Sequence, residues 1–231
     1  MKNLFSLLML LLFSVSSFSQ VQGFNGKYEV LDPNVAGKIF HNRLSEKEKP
    51  KGSPYLQGKF TWAKVESVAQ KTLMRYNVYA DEFEFITPKG DTLILDKIAD
   101  FNNIMFTVTS KNYRLVYYTN PVGKLTNGYL INLYLKGDVT LFKKENITYA
   151  EERPAKTSLE MTLPAKYVPA DDTYFIQIKE GPIVEFPKNK KQLIKMFPAK
   201  KNEIEAFLKA NEISFDEESS LFKLIDFVAA L

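Results

Sequence analysis

An antiparallel β meander curled into a barrel-like or sandwich core, followed by three short C-terminal helices, is the mainly β fold this sequence predicts. Three observations predict it. Between residues 72 and 143 short β-prone runs alternate with turn signals, several of those runs alternate apolar and polar residues with period two, and after residue 188 the apolar spacing becomes helical.

The chain opens on MKNLFSLLMLLLFSVSSFSQ, one cation at Lys2, an apolar run from Leu4 to Val15, and small residues before Gln20. This is the tripartite layout of a secretory signal. Serines interrupt the run and a polar chain follows it, so the reading is a cleaved signal over residues 1–19 and no transmembrane segment in the mature chain. Ser17 and Ser19 place the cut before Gln20. The remaining 212 residues, 20–231, suffice for a single β-rich domain with a sizeable core, its helical segment covering about 188–231.

Composition narrows the function. The absence of cysteine means no lipobox anchor and no disulfide, although an exported location permits disulfides. After removal of Lys2 with the signal, 30 basic side chains face 27 acidic ones, a balance too mild to imply nucleic acid or a membrane surface. The expected location is periplasmic or secreted.

In chain order, GKYEVLD (26–32) and GKFTWAKV (58–65) read as strands separated by a polar loop. TLMRYNVYA (72–80), EFEFIT (82–87) and TLILD (92–96) follow, the last two joined by the turn Pro88-Lys89-Gly90-Asp91. IMFTVT (104–109) and YRLVYYT (113–119) are next; a loop with Pro121, Gly123 and Asn127-Gly128 then leads to YLINLYL (129–135). Gly137-Asp138 turns that strand into VTLFKK (139–144), a two-residue turn whose twist suits paired strands. Pro154, Pro164 and Pro169 mark the next connection as edge or loop, before TYFIQI (173–178) and IVEF (183–186). The apolar sets Leu193, Ile194, Phe197, then Ile204, Phe207, Leu208, then Leu221, Leu224, Ile225, Val228 give the helices, with Pro198 separating the first two. Ser214 and Glu217 have capping-box spacing for the last helix.

The stretches GSPYLQGKF (52–60), RYNVYADEFEF (75–85) and KKQLIKMFPAKKNEIEAFLKANEISF (190–215) resemble an uncharacterised family of small exported proteins from Bacteroidetes-type bacteria. The resemblance covers most of the mature chain and implies export. It implies no activity, ligand or catalytic residue.

Candidate chemistry is sparse. His41 is the sole histidine and lies beside the charged loop NRLSEKEKPKG, so a multi-His or Cys metal site and a Cys-His nucleophile are excluded, and GxSxG is absent. No cofactor motif is present, and neither a cofactor nor a metal is expected. The paired carboxylates Asp81 with Glu82 and Glu84, Glu151 with Glu152, and Asp171 with Asp172 leave a carboxylate-type hydrolase as a third reading, with Glu82 and Glu84 read as a solvated strand face. Tyr113, Tyr117, Tyr118, Tyr129 and Tyr134 are read as core packing before sugar binding. The candidate ligand-binding row is Arg75, Asn77, Tyr79 and Asp81, alternating along one strand and so pointing together, with a structural charge network from Arg75 to Asp81 as its alternative. The expected function is an exported, non-catalytic binding or envelope-associated module, its partner a protein, a small molecule or a glycan of the envelope. A carrier holding an apolar or aromatic ligand inside the curled sheet is the second reading.

Overall fold

The computed structural model describes residues 28–39, 50–157 and 159–231. The signal reading and His41 lie outside them. Eleven strands occur among the described residues, all in one sheet with mixed sequence order but only antiparallel neighbours. They are β1 (Gly37–Ile39), β2 (Thr61–Val65), β3 (Thr72–Asn77), β4 (Glu82–Ile86), β5 (Thr92–Leu95), β6 (Asn103–Phe106), β7 (Asn112–Thr119), β8 (Leu125–Lys136), β9 (Val139–Ala150), β10 (Lys166–Ile178) and β11 (Val184–Glu185). Across the sheet their order is β1-β5-β4-β3-β2-β6-β7-β8-β9-β10-β11, so β1 and β11 are its ends and the sheet is not closed.

The sheet nevertheless curls, because one apolar cluster collects side chains from β2 through β9. Ala63 and Val65, Met74 and Tyr76, Phe83 and Phe85, Ile104, Tyr113, Tyr129 and Ile147 all belong to it. Period-two alternation supplies these residues from one face of each strand. Residues 50–57 hold the curl: Lys51 bridges in parallel to Lys166 at the start of β10, while the Pro54 carbonyl accepts from the Val78 amide at 3.0 Å.

β8 is buried on both faces. Tyr129 and Ile131 point into this first core, whereas Leu130 joins Tyr118, Phe142, Phe175 and Ile183 on the opposite face. An isolated parallel bridge from Tyr118 to Ile183 folds the β10–β11 connection over that second cluster. The β8–β9 ladder runs only from Lys136↔Val139 to Ile131↔Lys143, with an extra residue at Leu133. Beyond Ile131 and Lys143 no β8–β9 pair forms among the described residues, and each strand keeps its other neighbour alone.

The short helix α1 (Pro33–Ala36) starts at Asp32, whose carboxylate accepts from the Asn34 amide at 2.8 Å. The C-terminal helices are α2 (Lys190–Met196), α3 (Lys201–Ala210) and α4 (Glu218–Ala229). Leu193, Ile204, Leu221, Leu224, Ile225 and Val228 bury against Val139, Leu141 and Ile176 of the sheet, so the helical stripes seen in the sequence form a third core. No helix among the described residues is long and apolar enough to cross a membrane.

Several local expectations shift. The 26–32 run gives no strand among the described residues: Tyr28 makes a single bridge to Val68, and Asp32-Pro33 starts a helix instead. Asn127-Gly128 lies within β8, β9 extends six residues beyond Lys144, and β10 begins at Lys166 and runs through Pro169. Pro169 is tolerated because β11 covers only Phe175 and Ile176, leaving β10 an edge at the proline. The capping box does not form. Glu217 is the N-cap of α4 without a side-chain bond, and Ser214 Oγ instead accepts from the Asp216 amide at 3.4 Å.

Candidate functional site

The row Arg75, Asn77, Tyr79, Asp81 does not lie on one strand. β3 ends at Asn77, and residues 78–81 form the turn into β4. Asn77 Oδ1 accepts from the Ala80 amide at 3.0 Å, closing the turn, and Asp81 sits at φ +57°, a left-handed conformation that aspartate tolerates better than most residues. Two of the four therefore project from a strand and two from a turn, and the four divide among three surroundings.

Asp81 is an anchor. Its Oδ1 accepts from the Tyr76 hydroxyl at 2.5 Å and from Lys144 Nζ at 2.7 Å, and its Oδ2 accepts from Lys97 Nζ at 2.6 Å. The Tyr129 amide adds contacts of 3.2 and 3.3 Å to the two oxygens. Asp81 thus enters where β8 has lost its β9 partner and satisfies a backbone donor there. Gly128 makes room: a β-carbon on it would lie 2.5 Å from Asp81 Oδ2. Burial, and then the Asp81 charge, push the Tyr76 and Tyr129 hydroxyls well above the usual phenol range and Tyr118 up to about 12.

Arg75 forms a second, separate cluster. Its Nε and Nη2 both reach Glu84 Oε2 at 2.6 Å, and its guanidinium packs on the rings of Tyr55 and Phe60. Tyr55 donates to Glu84 Oε1 at 2.7 Å, and burial followed by this bond raises its hydroxyl pKa. Glu84 is 1 % exposed, so the expected solvated glutamate face is corrected. Tyr55, Gly58 and Phe60 lie over this cross-strand pair and cover it, which the strand pattern alone does not reveal.

Beside Arg75 opens a cavity of about 20 Å³, lined by Tyr76, Phe106, Lys111, Tyr113 and Glu145 among others. That space holds about one water. Glu145 is held by Lys111 and by the Tyr113 hydroxyl at 2.9 Å. All three carboxylates of these clusters are thus engaged by cations and phenols. Of the other sequence pairs, Glu151 and Glu152 are exposed, and Asp172 pairs with Lys143 at a β10 bulge. No group of three or more His, Asp or Glu capable of holding a metal occurs among the described residues.

Tyr79 is different, being about half exposed. Its ring lies 5.2 Å from Tyr167 and 6.0 Å from Tyr149, and those two are 5.2 Å apart across the β9–β10 ladder. Burial raises the Tyr167 hydroxyl pKa, with the two neighbouring phenols adding to the rise, so its proton is retained as a donor. Sequence reasoning missed Tyr149 and Tyr167 because only the tertiary fold brings a turn at residue 79 against a hairpin end. Of the central tyrosines, Tyr113, Tyr118 and Tyr129 are buried in the cores, while Tyr117 is two-thirds exposed.

Comparisons with protein-family models, with curated proteins and with solved structures return no match.

Proposed function

We propose that this chain is an exported, non-catalytic, envelope-associated module that binds through the end of the sheet bearing Asn77, Tyr79, Tyr149 and Tyr167. The division of labour around the β3–β4 turn carries the reading. Asp81 and Arg75 are occupied by internal partners, whereas Tyr79 presents an exposed ring within a cluster of three phenols. Such rings offer a large rigid contact area and hydroxyls for directional bonds. The carboxylate-type hydrolase is disfavoured by the same geometry, since its acid and base would be free carboxyls beside a substrate-sized space.

Fractionation of native cells tests the proposal. The processed protein is expected in the envelope fraction, and replacing Tyr79 and Tyr149 by Ser should release it without lowering its melting temperature. A cytosolic, unprocessed wild-type chain, or undiminished retention of the double variant, would refute it.

A further inference from the structure

We propose that Tyr79, Tyr149 and Tyr167 are a site of oxidative tyrosine coupling, at which a one-electron oxidant of the haem-peroxidase class joins the Tyr167 ring to one of the other two. Coupling depends on the placement of the three rings and not on what their surface binds, so it goes beyond the reading above.

Three phenols meet here from two separate parts of the chain. Tyr149 and Tyr167 face each other across the β9–β10 ladder, and Tyr79 reaches them from the β3–β4 turn, whose strands pair with neither β9 nor β10. The Tyr167 ring centre is 5.2 Å from both of its neighbours, which puts the ring edges in van der Waals contact. One short strap holds both backbones. The Tyr167 amide donates to the Lys51 carbonyl at 2.8 Å, and the Tyr79 amide donates to the Pro54 carbonyl at 3.3 Å. Gly52 lies between those two acceptors at φ +78°, and a β-carbon on it would lie 2.6 Å from the Tyr167 carbonyl oxygen, so the close approach of the strap needs the glycine. Reactive groups tethered at contact distance combine far faster than groups on separate molecules.

Exposure separates this triad from the other tyrosine cluster. Tyr79 is 48 % and Tyr149 37 % exposed, open to an oxidant, with Tyr167 partly buried beside them. Among the described residues Tyr76 also packs against Tyr113 and Tyr129, but those three are buried in the first core, and the Tyr76 and Tyr113 hydroxyls are bound to Asp81 and Glu145. In the coupling, each of two phenols gives up one electron and its hydroxyl proton. The two phenoxyl radicals join through a Cε–Cε bond, and the hydrogens on those carbons move to the oxygens and restore both rings. One hydrogen peroxide takes up the two electrons and two protons and leaves as two waters. A Tyr79–Tyr167 bond would staple the curled sheet where it meets itself without a ladder, a covalent closure that a chain without cysteine cannot obtain from a disulfide.

Treatment of the purified protein with a haem peroxidase and hydrogen peroxide, followed by peptide mapping of the monomer, tests this. The monomer should gain the blue fluorescence of dityrosine, lose two hydrogen atoms in mass, and yield a linked peptide pair joining Tyr167 to Tyr79 or to Tyr149. Tyr167→Phe keeps the ring and removes the phenol, so the variant should melt where the wild type does and form about tenfold less dityrosine in the monomer. Tyr79→Phe with Tyr149→Phe, which leaves Tyr167 without a partner phenol, should do the same. Tyr117→Phe, at the most exposed tyrosine, should couple as the wild type does. Absence of dityrosine from the wild-type monomer, a link that leaves out Tyr167, or undiminished coupling in either of the first two variants overturns the inference.

Discussion

Replacing Asp81 separates scaffold from recognition at the β3–β4 turn. Asp81→Ala removes at once the acceptor of Tyr76, Lys97, Lys144 and the Tyr129 amide. Stranding a fully buried charge costs roughly 3–5 kcal/mol. Here the side chains of Asp81, Lys97 and Lys144 keep 18, 27 and 16 % of their exposure, so water recovers part of that. The Tyr76 hydroxyl, on a residue 6 % exposed, loses its bond and adds about 1–3 kcal/mol. Together these give a loss of about 3–5 kcal/mol, on the order of 10 °C in melting temperature for a chain of this size. Asp81→Asn keeps an acceptor and tolerates the left-handed backbone, so its loss should be smaller, about 1–3 kcal/mol. Adding Lys144→Met to Asp81→Asn should recover part of the loss, because it removes a cation that has no counter-charge. Urea titration followed by circular dichroism measures all three. An Asp81→Ala variant within ~0.5 kcal/mol of the parent, the range of ordinary surface changes, would refute the anchor role.

Arg75→Ala should cost a comparable amount, about 3–5 kcal/mol by denaturant titration, because it strands Glu84 at 1 % exposure. Gly128→Ala forces the Asp81 carboxylate from its place and should cost about 1–3 kcal/mol in the same assay. Leu224→Ala, at a fully buried position, should cost about 2–5 kcal/mol, and a chain truncated before Asp216 should melt well below the full chain. Stability should fall as pH rises above 10: Tyr118 releases its proton at 10.0 when unfolded but at about 12 when folded, so the unfolded state binds fewer protons in that window and the slope is negative. Alkaline melting curves check this, with the share of the phenolate absorbance that belongs to the buried tyrosines Tyr76, Tyr113, Tyr118 and Tyr129 expected to appear together with unfolding.

The meander was legible because its strands obey period two. Met74 and Tyr76, Phe83 and Phe85, and Ile104 and Phe106 are the buried sets that alternation assigns to one face. The Gly137-Asp138 turn was legible as well: Gly137 takes φ +54° between Lys136 and Val139, which pair. Asn127-Gly128 has the same local chemistry and misleads, since Gly128 is there to admit a carboxylate from residue 81 and not to turn the chain. Local rules cannot separate those two glycines. The site suffered for a related reason. Asp81 finds Lys97 sixteen residues on and Lys144 sixty-three residues on, and nothing near either lysine signals the pairing.

Scaffold and the recognition proposed above, alternatives when only the row Arg75 to Asp81 is considered, are compatible in three dimensions. β8 and β9 part beyond Ile131 and Lys143, and that parting lets one strand system serve a core on each face. It also leaves a backbone donor at Tyr129 and a cation at Lys144 that need an acceptor from elsewhere. The β3–β4 turn supplies one in Asp81, and the Asn77–Ala80 bond fixes the short arc between. Tyr79 lies on that arc, two residues from the anchor, so the interaction that repairs the sheet also sets the ring against Tyr149 and Tyr167. A rigidly held exposed ring loses little conformational freedom on binding, which is the advantage the proposed function would draw from a ring placed beside a half-buried ion cluster and not on a free loop.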